Sequence, residues 1–320
     1  MIGIFRHNNP ISLLMLFIMA YAALFLKQDV VLVSTEQKHT LLLTNLMKWL
    51  NVWEGNNYLI TKIFKYIVLL TEAFYLNKIG RDNKLLERST HIHSMTFLLI
   101  SFLIPFNITI FTLLINALLL IAFDTFVKMY KKTNPFNNII LAGFMIAILS
   151  SITNNYLIFY GWVTVALLII RPTSLREWTV LNIGFLLPYY FLISLLYLFD
   201  HLTLAAIIQF KSPLMSLPEL SPFVGAKLIT LIILPIIGLM IGSSQINKMV
   251  LQNRKAYIVI FALLLASILV NVMNLQQLSE YSFLLILPIT ILFAPFFQSF
   301  KKDFIPNLVL LVLIVMSYLR

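Results

Sequence analysis

A polytopic, all-α bundle of transmembrane helices is the fold class this sequence predicts, and three observations carry that expectation. Hydrophobic residues make up 60% of the chain and charged residues only 11%, with a mean hydropathy of +0.94, far from the balance of a water-soluble domain. The apolar residues gather in runs joined by mostly short connections, so 1–320 is expected to form a single integral-membrane domain. Lys and Arg are concentrated on alternate connections, the pattern of loops held at a cytoplasmic leaflet. The net charge of +11 is accounted for in that way, with the lipid bilayer as partner and no nucleic acid.

In chain order the apolar runs are Ile11 to Leu26, Tyr58 to Leu76, Met95 to Phe106, Ile108 to Phe126, Ile139 to Ile152, Tyr156 to Ile170, Val180 to Phe199, Val224 to Ile241, Ala256 to Val272, Phe283 to Phe297 and Leu308 to Tyr318. These are about 11 spans, and because several fall short of the roughly 20 residues that a full crossing wants, the range is roughly 10 to 12. The short run Met95 to Phe106 is expected either to recruit His91 and His93 or Asn107 into its helix, or to cross a locally thinned bilayer.

Charge sets the orientation. With the amino terminus inside and the carboxy terminus outside, fifteen of the 23 Lys and Arg residues fall on inner segments and eight on outer ones. The turns around Pro105, Thr153 to Asn155 and Asn274 to Tyr281, all outer, contain no Lys or Arg.

Two outer connections are long, Lys27 to Asn57 and Asp200 to Phe223, and long connections in a compact bundle point to function or disorder. In the first, Leu42, Leu46, Trp49, Leu50 and Trp53 recur at helical spacing. That predicts an amphipathic helix at about 41–53, lying in the membrane interface or packed on the bundle. Asp29, Glu36, His39 and Glu54 sit in the same stretch. In the second, Pro213, Pro218 and Pro222 oppose a continuous helix and predict an irregular cover.

No phosphate-cradling GxxxxGK[ST], HExxH or GxSxG run is present, so soluble-type ATPase, zinc-protease and hydrolase readings lack their residues. The absence of cysteine removes disulfides, thiol nucleophiles and thiolate metal sites. His91 and His93 alone have a local metal-like spacing, without further ligands nearby; no metal site is assigned and any cofactor is left unknown.

Ionisable residues at membrane depth are more informative, each costing about 2.5 to 3.5 kcal/mol at a helix centre unless paired or hydrated. Lys62, Lys65 and Glu72 lie in the second run. Lys65 and Glu72, seven residues apart, share nearly one face and are expected to look into the bundle without touching. In the alternative, the lysines snorkel outward and Glu72 reaches the inner interface. Asp124 and Lys128, four residues apart, predict a local ion pair at the inner end of the fourth run.

RPTSLREW, residues 171–178, reads as an inner turn started by Pro172 and Ser174, with orienting arginines and Trp178 as an interface anchor. Together with the opening MIGIFRHNNP and the later GFLLPYY, it resembles a family of multi-pass inner-membrane proteins of Bacteroidota-type bacteria. The likeness covers about the first 200 residues and implies the bacterial inner membrane as location. That family brings no activity with it.

By architecture the chain also resembles the GT-C class of membrane glycosyltransferases, which use polyprenyl-phosphate-linked sugars. The shared features are an inside start, about 11 spans, a first outer loop with an interface helix and an early acidic residue, and a long outer loop after the seventh span. The resemblance implies Asp29 as the catalytic carboxylate, with Lys62, Lys65, Glu36, His39 and Glu54 around a lipid-linked donor. It departs in lacking a paired acidic motif, since Gln28 and Val30 flank Asp29. The other class of function is a transporter or a non-enzymatic scaffold. No internal repeat of the transporter kind is visible, which leaves the scaffold open.

Overall fold

The computed structural model describes residues 2–6, 10–26, 58–83, 85–86, 90–106, 108–130, 132–172, 174–198, 222–246, 249–275, 278–300 and 303–318. The helices are α1 (Ile2–Arg6), α2 (Pro10–Tyr21, continued by a π-helical turn Ala22–Leu26), α3 (Tyr58–Asp82), α4 (Ile92–Leu103), α5 (Ile110–Lys128) and α6 (Phe136–Ile152). They continue with α7 (Ile158–Ile170), α8 (Leu175–Leu198), α9 (Pro222–Ile246), α10 (Leu251–Met273), α11 (Ile286–Ser299) and α12 (Phe304–Tyr318). No strand occurs among the described residues. Each apolar run coincides with a helix. The second long connection ends earlier than expected, because Pro222 and Phe223 open α9; proline suits a first helical turn, where its missing N–H has no partner to lose.

Five helical stretches are long and apolar enough to cross a membrane: Ile110–Lys128, Leu175–Leu198, Pro222–Ile241, Leu251–Met273 and Ser282–Ser299. The 25-residue α3 is long enough but carries Lys62, Lys65 and Glu72. Ile11, Leu14 and Ile18 on α2, Leu59, Ile60 and Ile63 on α3, and Leu308 and Leu311 on α12 are exposed. An apolar surface spread over so many helices fits a lipid environment better than water.

The connections meet at two ends. At the basic end, Arg6 donates to the carbonyls of Phe297 (2.7 Å) and Phe300 (2.8 Å) and pairs with Asp303 at 2.5 Å. A guanidinium thus satisfies the last carbonyls of α11. At the same end, His91 N–H donates to Phe5 O, Tyr257 Oη to Leu85 O, Lys255 Nζ to Ile170 O and Arg171 Nη1 to Lys132 O. At the opposite end, Asn155 Nδ2 donates to Asn274 Oδ1 (2.6 Å) and Tyr281 Oη (3.1 Å), and Lys227 Nζ to Ser317 O (3.0 Å). Connections expected on one face thus meet one another.

At the centre lies one of the shortest apolar runs, Met95 to Phe106. All twelve residues of α4 are buried, as are Ile286 to Phe297 of α11 beside it. The helix recruits His93 as one alternative anticipated, but it stops at Leu103, and Asn107 lies outside the described residues. Pro105 explains the stop: its ring crowds the preceding backbone, and Ile104 takes φ −59°, ψ 127° rather than a helical conformation. Twelve residues rise about 18 Å, less than a hydrocarbon core of about 30 Å. Because α1, α2, α3, α9, α11 and α12 all pack on α4, its length need not match the lipid.

Candidate functional site

The membrane-depth charges of α3 form two separate loci. At the end opposite the basic one, the Lys62 ammonium lies 4.4 Å from the Tyr58 ring centroid and 5.2 Å from that of Phe25, a cation held against aromatic faces. Phe25 is in the π-helical turn of α2, so the chain leaves α2 and re-enters at α3 beside this ammonium. One turn on, Lys65 is only 6% exposed. The two cations therefore differ: one rests among aromatic rings, the other is turned into the bundle.

The second locus is Glu72, 5% exposed, with no hydrogen-bond partner for either carboxyl oxygen among the described residues. About 10 Å of helical rise separates it from Lys65. Both are buried, on the common face their spacing implied. Ser94 Oγ on α4 donates to Ala73 O at 2.9 Å, and Tyr75 Oη donates to Asp124 Oδ2 at 2.7 Å. These bonds hold α4 and α5 on either side of the turn that carries Glu72. Asp124 also pairs with Lys128, the local ion pair expected from their spacing.

Asn116, in the middle of α5, has both side-chain polar atoms buried without a partner among the described residues. Asn116 is not ionisable, and its signal in the sequence is an Asn within an apolar run.

The paired histidines have other surroundings. Asn77 Nδ2 lies 3.2 Å from His91 Nδ1, and the His93 ring packs on Gly80, where a Cβ would come within 2.6 Å of it. Burial, and then the positive charge of Arg81, lowers the His91 pKa from its ordinary 6.5. No group of three His, Cys, Asp or Glu residues able to hold a metal is present among the described residues.

RPTSLREW is a joint. Glu177 accepts from Ser174 N–H and Ser174 Oγ accepts from Glu177 N–H, both at 3.4 Å, the reciprocal geometry of a capping box. Arg171 bridges Glu177 at 3.0 Å and Lys132 O at 3.1 Å. Of the remaining expected site residues, Asp29, Glu36, His39 and Glu54 lie outside the described residues, as does the amphipathic stretch 41–53.

Fold and site together define an all-helical protein whose apolar helices are compatible with an integral membrane protein. The chain matches no protein-family model, no curated protein and no solved structure.

Proposed function

We propose that the chain is a bacterial inner-membrane protein of about 11 spans, amino terminus inside, that acts at the outer face as a GT-C-like glycosyltransferase on a polyprenyl-phosphate-linked sugar. The observation that supports this reading is the pair of cations at the end of α3 away from the basic end, Lys62 among aromatic rings and Lys65 buried. A lipid-linked phosphate entering from the exposed apolar side of α3 needs cationic compensation in a partly dry site, and two ammonium groups one turn apart supply it. Asp29 follows Leu26 by three residues in the chain and is the carboxylate proposed as general base for an acceptor hydroxyl. Glu36, His39 and Glu54 complete the proposed donor site. The resemblance of RPTSLREW and GFLLPYY to Bacteroidota-type inner-membrane proteins supports the location.

Replacing Asp29 by Asn removes the charge at constant size, so turnover is lost while expression holds; Lys65→Met weakens donor binding first and raises KM. If Asp29→Asn leaves the envelope glycan profile intact while deletion of the protein alters it, Asp29 is not catalytic. If deletion changes only the uptake or export of a solute, the protein is a transporter. That second reading is favoured by the buried Glu72 carboxyl, since ionisable groups inside bundles mark ion and proton paths.

A further inference from the structure

We propose that Glu72 is a proton-binding site inside the membrane, its carboxyl carried as the neutral acid. The side chain is buried and neither oxygen has a partner among the described residues. Leu69 and Leu76, three residues before it and four after, share its side of α3 and are also buried. A carboxylate buried among apolar neighbours, with no hydrogen-bond partner among the described residues, neutralises instead of staying charged.

Lys62 lies among aromatic rings, Arg81 lies 3.6 Å from Asp82, and Lys128 pairs with Asp124. The elements packed against α3 bring few titratable groups: Tyr21 from α2, His93 from α4, and Asp124 with Lys128 from α5. His93 sits against Gly80, eight residues further along α3, and Asp124 is closed by Tyr75 and Lys128. Within α3 itself the others are Tyr58, Lys62, Lys65, Tyr66, Tyr75, Lys78, Arg81 and Asp82. A metal cation would want several oxygen ligands around it, whereas the Ala73 carbonyl next to Glu72 already accepts from Ser94. The ligand this site suits is a proton.

The test is infrared spectroscopy of the full chain in lipid at neutral pH. The expected result is a protonated-carboxyl stretching band that shifts in heavy water and is lost in Glu72→Gln. A loss of carboxylate absorption instead would overturn the proposal. Should Glu72→Gln fail to fold, labelling of the native chain with dicyclohexylcarbodiimide decides the matter. The acid's proton passes to a carbodiimide nitrogen as the carboxyl oxygen bonds to the central carbon. The adduct then rearranges to an N-acylurea with no leaving group. An adduct on Glu72 and none on the ion-paired Asp124 supports the proposal. An unlabelled Glu72, or equal labelling by a hydrophilic carbodiimide, overturns it. Asp29→Asn, the variant that tests the transferase, leaves the band in place, so the two readings fail separately.

Discussion

The guanidinium of Arg171 and the carboxylate of Glu177 lie 3.0 Å apart across the connection between α7 and α8. The carboxylate has two tasks there. It accepts from the Ser174 N–H at the start of α8, and it neutralises an arginine that also reaches Lys132 O beyond α5. Three helices are thus referred to one nearly buried carboxylate. Glu177→Ala is expected to lower stability in detergent by about 1 to 3 kcal/mol, because it strands a partly buried guanidinium and opens a cap. Ser174→Ala is expected to cost about 0.5 to 2 kcal/mol through the cap alone. Denaturant titration of both variants checks the order.

The contact between α6 and α8 rests on two glycines. A Cβ at Gly184 would stand 2.6 Å from Ile140 O, and one at Gly143 would stand 2.8 Å from Leu181 O. Backbone cannot yield as a side chain can, so Gly184→Ala forces the helices apart and is expected to destabilise by about 1 to 3 kcal/mol. Gly161 on α7 has open space around it, and Gly161→Ala is expected to be neutral or stabilising by up to about 1 kcal/mol, since it removes a helical glycine. Thermal unfolding of the two variants side by side separates crowding from helix propensity.

The positions of the helices were legible because lipid imposes long apolar runs, and these can be read without knowing what packs on what. The rank of the helices was not. Met95 to Phe106 looked like a deficient span, yet its shortness belongs to the centre: a run of about 10 to 14 apolar residues is more often a core helix than a crossing, and α4 is buried on every side. For Lys65 and Glu72, spacing told their common face, and burial followed. It could not tell that Glu72 would lack a partner, because that depends on which residues of α4 and α5 come alongside. The Ser174 and Glu177 capping box was present as an S-x-x-E pattern but overshadowed by the arginines on either side.

His91 gives the fold a pH dependence whose sign can be worked out. Its imidazole is lowered below 6.5 by burial and then by Arg81, so the unfolded chain binds the proton more readily than the folded one. The stabilising contribution is complete above about 6.5 and is lost as pH falls from there through the lowered folded value. His91→Gln keeps a hydrogen-bonding side chain beside Asn77 and removes the titration. Its unfolding midpoint, compared with that of the native chain from about pH 8 down to about pH 5, should fall less steeply. Parallel midpoints would show that His91 does not couple to folding.

Orientation can be settled with single cysteines, since the native chain has none. The hydrogen bond from Arg171 to Lys132 O puts the α5–α6 and α7–α8 connections at one end, while the bonds among Asn155, Asn274 and Tyr281 gather the other. Thr133→Cys and Arg176→Cys are therefore expected to respond together to an impermeant thiol reagent, and Tyr58→Cys and Asn274→Cys to respond together in the opposite sense. The excess of Lys and Arg at the first end predicts that Thr133→Cys and Arg176→Cys are shielded in intact cells and labelled only after permeabilisation. Labelling of both from outside would invert the orientation and keep the bundle. Labelling of Thr133→Cys without Arg176→Cys would break the alternation itself, because Arg171 in one connection cannot reach the Lys132 carbonyl of the other across a membrane about 30 Å thick.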